Sequence, residues 1–259
     1  MSFYITLPSN GSQKYFPENR IANYKIKLPY KLKTPAEDFE LALTEFSYIC
    51  SIQSLTGNGN DNLIRISGQK NGVIHLPLIH YKNIHHLMHE INNSFEKLEI
   101  PCAILHSMVK PRICLQVGGG YKIKFSTKLS EIIGFDGKTE FSADVLQKES
   151  ALFYSKFRPD IHGGRYHMFI YCDIVESQIV GSSMVPLLRM VNITGEEGKA
   201  VTQTFSCPFY LPVSRSEFDV ISIILCDEFG IEIPIDKGQV TLTLHFREKT
   251  TKNGQFHRI

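Results

Sequence analysis

Gln239-Val240-Thr241-Leu242-Thr243-Leu244-His245-Phe246-Arg247 decides the fold, because its apolar residues fall at every second position. Val240, Leu242, Leu244 and Phe246 point one way, and Gln239, Thr241, Thr243, His245 and Arg247 point the other. That is a strand with one face buried and one in solvent. Runs of the same kind precede it at 166–175, 185–193, 201–205, 219–226 and 230–235, with Pro and Gly between them. Short strands at this spacing are the sequence pattern of β-sandwiches and jelly rolls, so a mainly β fold is expected.

The pattern extends to the first 80 residues. Strands are expected at 3–7, at 21–28, where Tyr24, Ile26 and Leu28 alternate with Lys25 and Lys27, and at 39–43, where Phe39, Leu41 and Leu43 share a face. Thr56-Gly57-Asn58-Gly59-Asn60-Asp61-Asn62 is a turn signal between runs at 52–55 and 63–67. From Asn83 the period changes. Ile84, Leu87, Met88, Ile91 and Phe95 fall at helical spacing, with Asn83 placed to cap the N-terminus. Strands at 112–117 and 121–126 follow, joined as a hairpin by Gly118-Gly119-Gly120, and then a short helix at 127–133 that Gly134 closes at C′.

The resulting plan has first strands over 1–80, an α+β insertion over 81–150, the remaining strands over 151–248 and a flexible tail over 249–259. If one core is closed across the insertion, 240–246 pairs with a strand from the first 50 residues. Pairing with sequence neighbours alone would mean two domains.

Composition bounds the function classes. At 259 residues and 42% hydrophobic, the chain can bury a sizeable core. Lys plus Arg number 28 and Asp plus Glu 26, a net of +2 spread along the chain, so nucleic acid is not an implied partner. Met1-Ser2-Phe3-Tyr4-Ile5-Thr6-Leu7-Pro8 has neither a basic n-region nor a long apolar run, which points to synthesis and assembly in a cytoplasm or nucleus and to no membrane partner. The six cysteines, at 50, 102, 114, 172, 207 and 226, form no Cys-x-x-Cys pair and read as reduced, buried thiols. Without a secretory signal, the Asn-x-Ser/Thr triplets at Asn10, Asn92 and Asn192 are coincidental.

Few residues invite chemistry. Gly118-Gly119-Gly120 lacks the Gly-Lys-Ser/Thr of a phosphate loop and reads as a turn. His85 and His89 lie one helical turn apart near His80 and His86, but they fall opposite the apolar stripe with only Glu90 at ligand spacing, so a polar helix face is the better reading. No serine sits in Gly-x-Ser-x-Gly, and Glu196-Glu197-Gly198-Lys199 reads as an exposed hairpin tip. No catalytic residue, metal ligand or cofactor is therefore nominated, and the chain is not read as an enzyme.

Phe3-Tyr4-Ile5-Thr6-Leu7-Pro8-Ser9-Asn10, with Tyr15-Phe16-Pro17-Glu18-Asn19 after it, resembles the opening of the minor capsid (penton) proteins of Maverick/Polinton elements and adintovirus-like viruses. The likeness continues in Phe39-Glu40-Leu41-Ala42-Leu43-Thr44-Glu45-Phe46-Ser47-Tyr48, in Ile132-Ile133-Gly134-Phe135 and in Tyr171-Cys172-Asp173-Ile174-Val175-Glu176. Val180-Gly181, Pro186-Leu187-Leu188-Arg189, Tyr210-Leu211-Pro212-Val213, Phe218-Asp219 and Leu244-His245-Phe246-Arg247 complete it.

The resemblance implies a single jelly roll that forms a homopentamer at the fivefold vertices of an icosahedral shell, within the virion. Its partner there is a larger double-jelly-roll major capsid protein. The family usually has Trp near Phe39, and this chain has no Trp, so Phe39 is expected to fill that core position. The size agrees, since two rolls plus an insertion would crowd 259 residues. Phe3, Tyr4, Tyr15 and Phe16 are the interface candidates, either on an arm reaching a neighbour or on an edge strand of the same subunit. The alternative function is an attachment module that binds glycan or receptor through loop 56–62 or the insertion.

Overall fold

The computed structural model describes residues 2–33, 38–107, 112–137, 139–144, 150–196 and 198–249. The expected tail beyond Lys249 lies outside them. In chain order the strands begin with β1 (Ser2–Pro8), β2 (Asn23–Lys33) and β3 (Phe39–Ile49). Next come β4 (Leu63–Gly68), β5 (Gly72–His75), α1 (Ile84–Lys97), β6 (Cys102–His106) and β7 (Ile113–Val117). β8 (Tyr121–Phe125), α2 (Thr127–Ile132), β9 (Glu140–Ser142) and β10 (Ala151–Tyr154) follow. The chain then forms β11 (His167–Cys172), β12 (Gln178–Val180), β13 (Ser183–Val185) and β14 (Leu187–Asn192). It ends with β15 (Ala200–Thr204), β16 (Leu211–Pro212), β17 (Glu217–Cys226) and β18 (Val240–Glu248). Two compact units result, one of 1–51 with 165–259 and one of 52–164.

In the first unit the closing strand does pair with the first 50 residues. β18 lies between β1, with Phe246 opposite Phe3, and β3, with Phe246 opposite Leu41. The long strands form nested antiparallel pairs: β1 with β18, β2 with β17, β3 with β15 and β11 with β14. They lie in two four-membered rows, β1-β18-β3-β15 and β14-β11-β17-β2, with β16 added beside β3. A long hairpin rolled up in this way is a jelly roll. The whole second unit is inserted between β3 and β11 in sequence.

The inward side chains of both rows form the roll's core. Leu242, Leu244 and Phe246 are fully buried with Leu7, Tyr24, Leu41, Phe46, Met168, Ile170, Ile221 and Ile223. Phe246 stacks on Phe3 at 4.9 Å and lies 6.2 Å from Phe218. Phe39 is buried, with its ring 6.5 Å from Phe3, so it does occupy a core position.

β3 runs well past the expected end at 43. Thr243 pairs with Glu45 but Leu244 with Leu43, leaving Thr44 as a bulge whose hydroxyl donates to the Thr243 carbonyl at 3.0 Å. The bulge moves the buried positions from Phe39, Leu41 and Leu43 to Phe46 and Tyr48, which breaks the alternation in sequence without ending the strand. The expected strand at 230–235 is instead a turn with isolated bridge positions at Glu232, opposite Cys226, and at Ile235. Asp227 takes the amides of Phe229 and Ile231 that a ladder would use.

The second unit has a core of its own and is wider than 81–150. Residues 63–75 belong to it because β4 pairs with both β5 and β8. Residues 151–154 belong to it because β10 pairs with β7. Its sheets are β5-β4-β8-β9 and β10-β7-β6. Helix α1 buries Leu87, Met88, Ile91 and Phe95, and Asn83 caps it by accepting from the His86 amide at 3.0 Å.

Gly134, at φ 86°, closes α2 as expected. Its N–H reaches the Glu131 carbonyl and that of Phe135 reaches Ser130, both at 2.9 Å, the paired bonds of a Schellman ending. The triple glycine is a turn but not a hairpin, since β7 and β8 join different sheets. The Gly120 amide is taken by the Ala143 carbonyl at 3.1 Å and that of Tyr121 by Gly118 at 3.1 Å, so this turn offers little to a phosphate. The run at 52–55 is not a strand.

Candidate assembly surfaces

The four N-terminal aromatic residues are placed by β1 and the loop after it. β1 is the edge strand of its row, so the segment is tied to its own subunit. The loop is tied as well. Asn19 Nδ2 donates to the carbonyls of Gly11 and Lys25, and its Oδ1 accepts from the Lys25 amide. Phe3 is half-buried against Phe246, and Phe16 is half-buried in the loop. Tyr4 and Tyr15 are exposed, at 63% and 68%. Between β1 and β2 lies a cleft of 710 Å³, lined by Phe3, Ile5, Ile26, Leu28, Tyr30 and Phe39 among others.

The rows of the roll present unlike outer faces. Outward from β18 stand Thr241, Thr243, His245 and Arg247, opposed by Thr6 and Tyr4 on β1. Thr202 and Thr204 on β15 continue this face beside Ser47 and Glu45. Tyr4 stacks on His245 at 4.4 Å, and Tyr210 Oη lies 2.7 Å from His245 Nδ1. The Arg247 guanidinium sits 3.3 Å above the Tyr210 ring and donates to Glu40 at 2.7 Å. Partial burial, and then the Arg247 charge, hold the His245 imidazole below its ordinary value.

The other outer face is apolar at its centre. Phe169 pairs with Met190, and Tyr171 with Leu187 and Ile224. Met190 is 49% and Ile224 36% exposed.

Two charged residues of the roll were not visible in the sequence as partners. Arg165 and Asp227, both buried, meet at 3.3 Å, and Asp227 also holds the turn described above. Their separation of 62 residues leaves no local signal. None of the six cysteines forms a disulfide; Cys50, Cys102, Cys114, Cys172 and Cys226 are buried, and Cys207 is exposed, unlike the expectation of six buried thiols. Burial pushes the Cys172 thiol up to about 12, the mark of an inert core thiol.

The histidines of the second unit go separate ways. His80 bonds the Ile52 carbonyl at 2.9 Å, His86 packs on Tyr81 at 5.5 Å, and His85 faces His106 at 5.0 Å. Among the described residues no three His, Cys, Asp or Glu are grouped to hold a metal ion, and no helix is long and apolar enough to cross a membrane. In loop 56–62, the Asp61 carboxylate accepts from the amides of Thr56 and Gly57 and from the Thr56 hydroxyl. It closes the loop on itself.

The nested pairs define an eight-stranded jelly roll with a large insertion between its third and fourth strands. No family model matches the chain, and no curated protein matches it in sequence. Among solved structures, the mavirus penton protein is similar over 96% of this chain and 100% of its own, at TM-score 0.51 and 12% identity. The chain thus has the fold of that protein. A chain of the Sputnik virophage, determined by cryo-EM, is similar over 96% of this chain and 98% of its own, at TM-score 0.46 and 12% identity.

Proposed function

We propose that this chain is a structural minor capsid (penton) protein, akin to those of Maverick/Polinton elements and adintovirus-like viruses. In this reading it forms homopentamers at the fivefold vertices of an icosahedral shell, is located in the virion, and contacts a double-jelly-roll major capsid protein. The supporting observation is the likeness to the mavirus penton protein, which extends over roll and insertion alike.

A ring of copies is a head-to-tail arrangement in which each copy gives one surface and receives another. A roll with one apolar and one threonine-rich outer face suits unlike contacts of this kind. Burial of apolar and aromatic side chains between copies supplies the stability, and no catalytic group is required. In this reading Tyr4 and Tyr15, both exposed, are the contact residues of the N-terminal segment, and Phe3 and Phe16 are half-buried within their own subunit.

Co-expression with the major capsid protein encoded beside it, followed by imaging of the shells, tests the reading. Density for this chain at the fivefold vertices is expected. Closed shells that carry it elsewhere, or exclude it, would contradict the proposal.

A further inference from the structure

Arg189 lies on β14, the edge strand of its row, opposite Ile170. Its guanidinium is held between two phenyl rings, 3.8 Å from the centroid of Phe205 and 4.5 Å from that of Phe209. Nη1 is buried, and no acceptor among the described residues meets it. Folded proteins seldom leave a buried donor on a charged group unmet, so the group calls for an explanation. Burial also holds the guanidinium below its ordinary value.

The ring that covers it is unprotected. Phe209 is 65% exposed, and Cys207 is the one exposed thiol of six. A desolvated arginine framed by aromatic rings at an open edge has the composition of a binding hot spot.

We infer that Arg189, clamped between Phe205 and Phe209, is an anchor that receives a carboxylate from a second copy of this chain. The inference rests on the pentamer reading and names a residue that holds the ring together. A guanidinium offers paired N–H groups that match a carboxylate, and stacking fixes its plane in advance. A second copy brings suitable groups, since Glu18, Glu45, Glu176 and Glu196 of the roll are exposed and have no ion-pair partner among the described residues. In a head-to-tail contact, anchor and carboxylate occupy different places on one copy, so every copy supplies both. Nη1 has no surface of its own, so docking turns the exposed Phe209 ring aside to admit the carboxylate, and ring and partner then exclude water from the pair.

Arg189→Met is the decisive variant, because it keeps an unbranched stem between the rings and removes every donor. The full chain and the variant are compared by light scattering across a dilution series, with thermal melts alongside. At dilutions where both are single chains the variant is expected to melt at or above the wild-type temperature, yet to dissociate at concentrations about tenfold higher or more. Arg189→Lys, a point charge without the fork, falls between them. Association equal to wild type in Arg189→Met overturns the inference and leaves the pentamer reading standing. A wild-type chain that stays monomeric overturns both.

Cys207 gives a readout that needs no variant. Its alkylation by a maleimide is expected to slow as wild-type chains associate, and an unchanged rate overturns the inference.

Discussion

The two outer faces of the roll are built on the same alternation and end in opposite chemistry. Beyond Val240, Leu242, Leu244 and Phe246 stand threonines, His245 and Arg247, side chains that keep their hydrogen bonds in water. Beyond Met168, Ile170, Ile221 and Ile223 stand Phe169, Tyr171, Met190 and Ile224, whose rings and alkyl chains gain little from water. A strand needs only one apolar face to fold, so the second apolar face is surplus to the roll itself. The difference teaches where association is to be sought.

The largest effect is expected from the interior that both faces share. Phe246→Ala removes a ring packed on Phe3 and Phe218 and should cost about 3–5 kcal/mol in denaturant unfolding. Asp227→Ala removes a buried carboxylate that meets Arg165 and accepts from the amides of Phe229 and Ile231, and should cost about as much, roughly 3–5 kcal/mol. Losses below about 1 kcal/mol at either position would mean that the core has been misplaced.

The comparison of faces is tested directly by placing one lysine on each. Ile224→Lys should weaken association by about a hundredfold, whereas Thr243→Lys, on the face that carries Tyr4, should weaken it by about tenfold or less. Equal losses, or a larger loss at Thr243, would reverse the assignment. Gly134→Ala touches neither face. Its new Cβ would sit 2.4 Å from the Phe157 carbonyl oxygen at φ 86°. A loss of about 1–3 kcal/mol with unchanged association is expected.

The smallest effect is a pH dependence on the polar face. His245 is held below its ordinary value, so between that lowered value and 6.5 the unfolded chain binds more protons than the folded one. Stability therefore rises with pH across the window and is lost as acidity increases. His245→Gln should flatten that slope in pH-dependent melts, and an unchanged slope would assign it to another group.

Much of the roll was legible because burial of one face imposes a period of two on the residues. Val240, Leu242, Leu244 and Phe246 report their own orientation, and Gly134 reports its left-handed turn. Partner choice is not written in any strand. Leu63–Gly68 looks like a further strand of the roll, yet it pairs with Tyr121–Phe125, which is why the insertion begins earlier than its helix suggests. Thr44 hides the continuation of its strand by shifting the phase.

The candidate surfaces were less legible still. Tyr4 and Tyr15 stood out as aromatics among polar neighbours, and the structure leaves both exposed while engaging Phe3 in the core. Arg189 carried no signal, because its rings come from the segment after another strand and meet it only once the roll is closed.

The most direct test of the central claim is the mass of the purified chain in solution by light scattering at high concentration. A mass five times that of one chain, with rings of fivefold symmetry in negative stain, is the predicted result. A single-chain mass at every concentration, with no recruitment by the major capsid protein, would contradict it.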